Sequence, residues 1–194
     1  MEVRVSRWGR ISRVLAGTAA AGLVLAGCGS DTDGDPSASA DTATSTMLPP
    51  APTAFDPCSG AMQPILDSEE LHGQNKADSD GNAGTQWRGC GWVQSDGYAT
   101  SIRTTNITLP MIRENAEWKI AEELTIGGRA AVTYHDSEAT DIQHDCLLNL
   151  ELKGGSLQFS IDNPASRRKT GDTDSCEIAK RLADKVVSVI PASA

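Results

Sequence analysis

The hydrophobic pattern opens on an uncharged run, VLAGTAAAGLVLAG, from Val14 to Gly27, followed by a stretch to Ala54 with almost nothing large and apolar. Beyond Phe55 the rhythm becomes that of a folded domain. Pro64-Ile65-Leu66 fits a short helix with proline in its first turn. The stretch from Gly73 to Gln86, GQNKADSDGNAGTQ, is turn chemistry throughout. Cys90 to Val93, a turn at Ser95-Asp96-Gly97, and Tyr98 to Leu109 predict a hairpin rich in β-branched residues. Met111 to Ala121 predicts a helix opened by Pro110, and Gly127-Gly128 a turn before a strand from Arg129 to Tyr134. Cys146 to Leu152 and Ser156 to Ile161 flank Gly154-Gly155, a strong hairpin signal. Asp172 to Ile190 predicts the clearest helix. Asp172, Thr173 and Asp174 offer caps, Ile178, Leu182 and Val186 form an i, i+4, i+8 stripe, and Pro191 stops it. The order helix, two strands, helix, three strands, helix predicts an α+β domain, an antiparallel sheet with helices packed against it.

The 194 residues carry 17 bases and 26 acids, a net charge of −9, with 39% apolar and 4% aromatic residues. One medium domain fits that length. The acidic balance argues against a nucleic-acid partner, which needs a basic face to neutralise phosphates. A mean hydropathy of −0.31 excludes a polytopic membrane protein, and so few aromatics leave little for a stacking platform.

Charge also divides the chain. Arg4, Arg7, Arg10 and Arg13 stand against Glu2 ahead of the apolar run, the layout of an export signal over residues 1–27. Leu25-Ala26-Gly27-Cys28 closes it and resembles the bacterial lipobox, which implies a diacylglycerol thioether on Cys28 and cleavage just before it. Residues 28–54 hold Asp31, Asp33, Asp35 and Asp41 and no base, and read as a disordered tether with a root-mean-square span of ~30 Å. The remaining domain, 55–194, has 13 bases and 21 acids, or −8. An acidic domain of this kind is not drawn down onto an anionic bilayer. The expected location is the outer face of the cytoplasmic membrane, with Cys28 as lipid anchor.

Cys58, Cys90, Cys146 and Cys176 remain, an even number suited to an oxidising compartment. Three pairings can be drawn. The preferred one, Cys58–Cys90 with Cys146–Cys176, closes two loops of about 30 residues, each worth ~3.5 kcal/mol on the chain-entropy model. A zinc site is the competing use, but there is no C-x-x-C pair, and no metal or cofactor is expected.

The run Phe55-Asp56-Pro57-Cys58, then Gly89-Cys90-Gly91-Trp92, Ile126-Gly127-Gly128-Arg129-Ala130-Ala131, Cys146 and Cys176-Glu177-Ile178-Ala179 resembles actinobacterial cell-envelope lipoproteins built on a four-cysteine domain of unknown function. That resemblance implies an envelope-facing lipoprotein and no particular reaction. A looser likeness connects the domain with the two-disulfide extracellular sensor domains of mycobacterial receptor kinases.

Candidate chemistry is sparse. His135-Asp136-Ser137-Glu138-Ala139-Thr140-Asp141-Ile142-Gln143-His144-Asp145 is the densest polar cluster. It reads as a solvated loop between strands. A divalent-ion site would require it to fold back, and titration of His135 and His144 near neutral pH is its cheapest use. Asp31-x-Asp33-x-Asp35 and Asp78-Ser79-Asp80-Gly81 imitate calcium loops, but Pro36 and Gly89 stand where glycine and the closing acid belong. Ser166-Arg167-Arg168-Lys169-Thr170-Gly171 contains Ser-x-x-Lys and Lys-Thr-Gly, which share Lys169 and so cannot surround a substrate. It reads as an exposed basic turn, a candidate contact for an anionic envelope polymer. Asn106-Ile107-Thr108 matches a glycan acceptor by chance. Trp92, Trp118, Tyr98, Tyr134 and Phe159 are expected in the core, and Trp87 is the best exposed aromatic.

With no catalytic motif, the expectation is a non-catalytic binding or accessory module that meets a small ligand or another envelope protein. A ligand-sensing partner of a membrane receptor or transporter is the alternative, and an envelope hydrolase a more distant one.

Overall fold

The computed structural model describes Met47 to Ala194. The expected signal, the Cys28 site and the segment through Thr46 lie outside the described residues. After helix α1 (Gln63–Ser68) come strands β1 (Leu71–Lys76), β2 (Ser79–Asp80), β3 (Gln86–Gln94) and β4 (Ala99–Thr105). Helix α2 (Leu109–Glu114) leads to β5 (Trp118–Ile126), β6 (Arg129–Asp136), β7 (Asp145–Leu152) and β8 (Gly155–Asp162), and α3 (Ser175–Val186) ends the series. The strands form one antiparallel sheet in the order β1-β3-β4-β8-β7-β6-β5, with β2 paired to the start of β3 on the same edge as β1. It is the expected α+β domain. An N-terminal group and a C-terminal meander meet where β8 pairs with β4.

Strand alternation gives the sheet two unlike faces. Ile102, Leu148, Leu150, Leu157, Phe159 and Ile161 join Ile178, Leu182 and Val186 of α3 in the larger core. On the opposite face α2 and the segment before it bring Ile107, Leu109 and Ile112 onto Val132 and Tyr134. That face also buries a hydrogen-bond chain. Arg103 Nη2 donates to Gln158 Oε1 at 2.7 Å, and Gln158 Nε2 to the Tyr134 hydroxyl at 3.1 Å. Tyr134 donates to Asn149 Oδ1 at 2.9 Å, Asn149 Nδ2 to Ser156 Oγ at 2.7 Å, and Ser156 to the Ile107 carbonyl at 2.5 Å.

Both disulfides take the preferred pairing, Cys58–Cys90 and Cys146–Cys176. The first ties the lead-in loop to β3, and the second ties the start of β7 to the first turn of α3. Asp174 caps that helix, its carboxylate accepting from the backbone N–H groups of Cys176 at 2.8 Å and Glu177 at 3.2 Å. Asp174→Ala should therefore lower stability by ~1 kcal/mol. A urea midpoint unchanged by the substitution would show the cap to be redundant.

Three local expectations are corrected. The turn-rich stretch after Gly73 contains most of β1, an edge strand in which only Leu71 is buried. Its ladder to β3 is made by the main chain, so its side chains need no alternation. The helix expected to run to Ala121 stops at Glu114. Asn115 takes an extended conformation and accepts the Glu117 N–H on its side chain at 2.9 Å, and this turn feeds β5. The third concerns the lead-in, expected to be loose through Ala54. The chain is held from Leu48 onward: Leu48 N donates to the Ala83 carbonyl, and Ala51 N to Gln86 Oε1. Buried Asn106 closes the clasp, donating to the carbonyls of Pro49 at 2.6 Å and Gly84 at 2.8 Å. Gly155 makes room for it, since a Cβ there would lie 2.0 Å from the Thr105 carbonyl oxygen and 2.9 Å from Pro52.

Candidate functional site

The docked lead-in builds one wall of a cleft of about 360 Å³. Pro52, Phe55 and Pro57 supply an apolar side, Gly89 and Thr104 lie in the sheet beneath, and Lys76, Asp78 and Arg88 form a polar rim. The Cys58–Cys90 bridge holds the wall in place. Asp78 Oδ1 accepts the Gly89 N–H at 2.9 Å and Asp78 pairs with Lys76 at 3.0 Å. The backbone hydrogen bond first, then Lys76, hold its carboxyl below the usual range. Arg88 is fixed by the Ser79 and Trp87 carbonyls, both at 2.8 Å, and by Asp80 at 2.5 Å. Each rim charge is thus paired with one of opposite sign, which suits recognition more than proton transfer. The lining has no histidine, and its sulfur is bridged. This volume falls within the range of small-molecule sites.

The polar cluster from His135 to Asp145 does not act as a unit. His135 is the last inward residue of β6, following Ala131 and Thr133, and is buried rather than solvated. Its Nδ1 lies 2.8 Å from the Asp145 carbonyl oxygen. His144 is half-buried, with Nδ1 2.6 Å from exposed Asp141 and Nε2 3.2 Å from the Gly171 carbonyl. Asp141 is the main cause that raises the His144 pKa above the ordinary histidine value. Stability from this pair is complete below the unfolded pKa and is lost as pH rises through the folded one. An NMR titration should find the His144 midpoint raised, and Asp141→Asn should bring it down. An unmoved midpoint would remove Asp141 as the cause.

The basic turn is less free than its composition promised. Arg168 pairs with Asp96, and Lys169 Nζ with Glu70 at 2.6 Å. Ser79 and Asp80 form β2, with Asp78 bonded to Gly89 and Lys76. Trp92, Tyr98, Tyr134 and Phe159 are in the core as expected, while Trp118 is half-buried and packs against Tyr134 with ring centroids 5.1 Å apart and planes tilted by 46°. Trp87 is half-buried too, its ring 5.9 Å from the Arg103 guanidinium carbon. Asn106 is 2% exposed and spends its amide on the clasp.

A buried carboxylate, Glu69, went unnoticed in the sequence. It accepts from Tyr98 Oη at 2.9 Å, Arg181 at 3.1 Å and Lys185 at 2.5 Å, fastening the end of α1 to α3. Burial pushes its pKa up, but the hydrogen bonds from Arg181, Lys185 and Tyr98 together outweigh it and hold the carboxyl low. Arg181 and Lys185, four apart on a helix, were the available signal.

These features define a two-disulfide α+β domain with a mixed cleft beside the clasp of its lead-in. The family model described as a protein of unknown function (DUF3558) matches residues 23–188, and the chain belongs to that family. No curated protein and no solved structure matches it.

Proposed function

We propose that the chain is an exported lipoprotein, anchored through Cys28 to the outer face of the cytoplasmic membrane, whose domain is a non-catalytic binding module. The cleft carries the binding half of this reading. Its apolar wall and charge-paired polar rim suit a small ligand with an apolar body and one polar end. The anchoring half rests on the basic, apolar and lipobox segments in succession, and the family match spans Leu25 to Cys28. Among the described residues no helix is long and apolar enough to cross a membrane. A lipid at Cys28 would put the cleft wall at Pro52 within a short length of chain from the bilayer. The actinobacterial placement comes from the sequence resemblance alone.

Mild crosslinking and native mass spectrometry of the chain recovered from intact cells test the module. Wild type should bring down a small ligand or one envelope partner, and Thr53→Trp, at an exposed position on the cleft wall, should lose it. Recovery of nothing specific, or retention by Thr53→Trp, would overturn the cleft as binding site. Cys28→Ala should release the chain to the soluble fraction, and globomycin should block its maturation. A mature chain indifferent to both would remove the anchor. The size of the cleft gives a ligand-sensing role beside a receptor or transporter some support, and a captured membrane protein would favour it.

A further inference from the structure

Away from the cleft, three donor atoms converge at the joint between β6, β7 and α3. His135 Nε2, Cys146 Sγ and Cys176 Sγ lie within 4.8 Å of one another, all on buried residues. His135 Nδ1 faces the Asp145 carbonyl oxygen, which can only accept, so the ring hydrogen sits on Nδ1. In the neutral ring Nε2 then presents a lone pair to Cys176 Sγ at 3.7 Å. A bridged sulfur has no hydrogen to offer it. With the disulfide closed and the ring neutral, a buried acceptor faces another acceptor, an arrangement that costs ~1–3 kcal/mol relative to a satisfied one.

A thiol hydrogen or a metal ion would satisfy that lone pair. The orientation favours the ion, because a histidine whose Nδ1–H is held by a backbone carbonyl is the arrangement that aims Nε2 at a metal. The spacing agrees as well. A tetrahedral zinc with ordinary Zn–N and Zn–S bonds separates its nitrogen and sulfur ligands by ~3.5 Å, against the 3.7 Å found, while the bridged sulfurs, 2.00 Å apart, must part to take two corners of the tetrahedron. Cys176 is the second residue of the twelve-residue helix α3, whose N-terminal dipole favours a thiolate. Two thiolates, a neutral imidazole and a divalent cation sum to zero charge, which suits a buried place.

We propose that His135, Cys146 and Cys176 form a redox-gated site for a zinc-like soft metal ion, closed by the disulfide and opened by a dithiol reductant. The reductant surrenders two electrons and two protons and becomes a disulfide, while Cys146 and Cys176 become thiols. The incoming ion displaces both thiol protons to solvent and accepts the two thiolates and the Nε2 lone pair. Water completes the tetrahedron. The site is independent of the lipid anchor and of the cleft.

Cobalt(II) and zinc titrations of the full-length chain, phosphine-reduced without oxygen, test it. One cobalt should bind with a thiolate-to-metal charge-transfer band, and zinc should displace it. His135→Ala should weaken binding at least ~10-fold. The double variant Cys58→Ala/Cys90→Ala should keep both band and affinity, because its removed sulfurs are elsewhere. The oxidised chain should bind neither ion at this site. Equal affinity in His135→Ala would overturn the site, as would equal binding by the oxidised chain. Loss of the band in a Cys58→Ala/Cys90→Ala chain that circular dichroism shows folded would overturn it too. Reduction opens both bridges, so circular dichroism of the reduced wild type is read first. A reduced chain that has lost the native spectrum would overturn a site that must open within the folded domain.

Discussion

Replacing Cys146 and Cys176 together by alanine is expected to lower the free energy of unfolding by ~4 kcal/mol, within the range for native bridges in small secreted domains. The two disulfides span nearly equal separations, 30 and 32 residues, so the entropy each removes from the unfolded chain is nearly the same. What differs is the folded state. Cys146 is fully buried, and its bridge anchors the first turn of α3, whose Ile178, Leu182 and Val186 fill the larger core. Cys58 is half-buried and anchors only the lead-in loop. Cys58→Ala/Cys90→Ala should accordingly cost ~3 kcal/mol and loosen the cleft wall more than the core. Denaturant unfolding of both double variants gives the comparison. A greater loss from the Cys58–Cys90 pair would mean that α3 is held by its apolar stripe and cap without help from the bridge.

Glu69→Gln is expected to cost ~3 kcal/mol at neutral pH. Breaking a buried ion pair by removing one partner typically costs 3–5 kcal/mol. The lower end applies because Arg181 and Lys185 keep side-chain exposures of 44% and 36% and can turn toward water. Tyr98 cannot. Its hydroxyl is buried, and burial, reinforced by the Glu69 charge, pushes its pKa up. A glutamine amide can still accept from Tyr98, so Glu69→Ala should be the worse variant. The folded pKa of Glu69 lies below its unfolded value. Its contribution is therefore complete above the unfolded value of ~4.3 and is lost as pH falls through the folded one. The gap between wild type and Glu69→Gln should narrow in acid. A gap independent of pH from 7 down to 3 would show that Glu69 acts through packing alone.

Most of this architecture was readable wherever a local rule and the tertiary fold agree. Gly154 and Asp96-Gly97 each sit in a hairpin turn, with positive φ at Gly154 and Asp96. The stripe on α3 faces the core, and pairing cysteines by neighbourhood along the chain finds both bridges. Legibility failed where main-chain pairing or distant residues decide. β1 has one buried side chain and so no period. Its hydrogen bonds to β3 cannot be seen in LHGQNK. β5 is a half-exposed edge strand, and its spacing of apolar residues passes for helical until Asn115 turns the chain. His135 looked like part of a solvated loop because Asp136 follows it, although the alternation of β6 carries it inward. The cleft joins residues 52–58 with 76–89 and Thr104. No single window holds more than one of its walls. Glu69 stands more than a hundred residues from its cationic partners.

The hydrogen-bond chain under α2 has a sense of travel. Arg103 at one end can only give hydrogens, and the Ile107 carbonyl at the other can only take them. Every link between is forced to point the same way, which settles the amide orientations of Gln158 and Asn149 and the hydroxyl rotors of Tyr134 and Ser156. A series of this kind admits one proton arrangement where an isolated pair of hydroxyls would admit two. The members sit on β4, β8, β6 and β7, at positions directly opposed across the ladders, such as Arg103 with Gln158 and Asn149 with Gln158. A slip of one residue in any of these strands would bury a donor against a donor or an amide against nothing. The polar face thus works as a parity check on strand alignment, and it rejects pairings that the interchangeable leucines and isoleucines of the other face would tolerate.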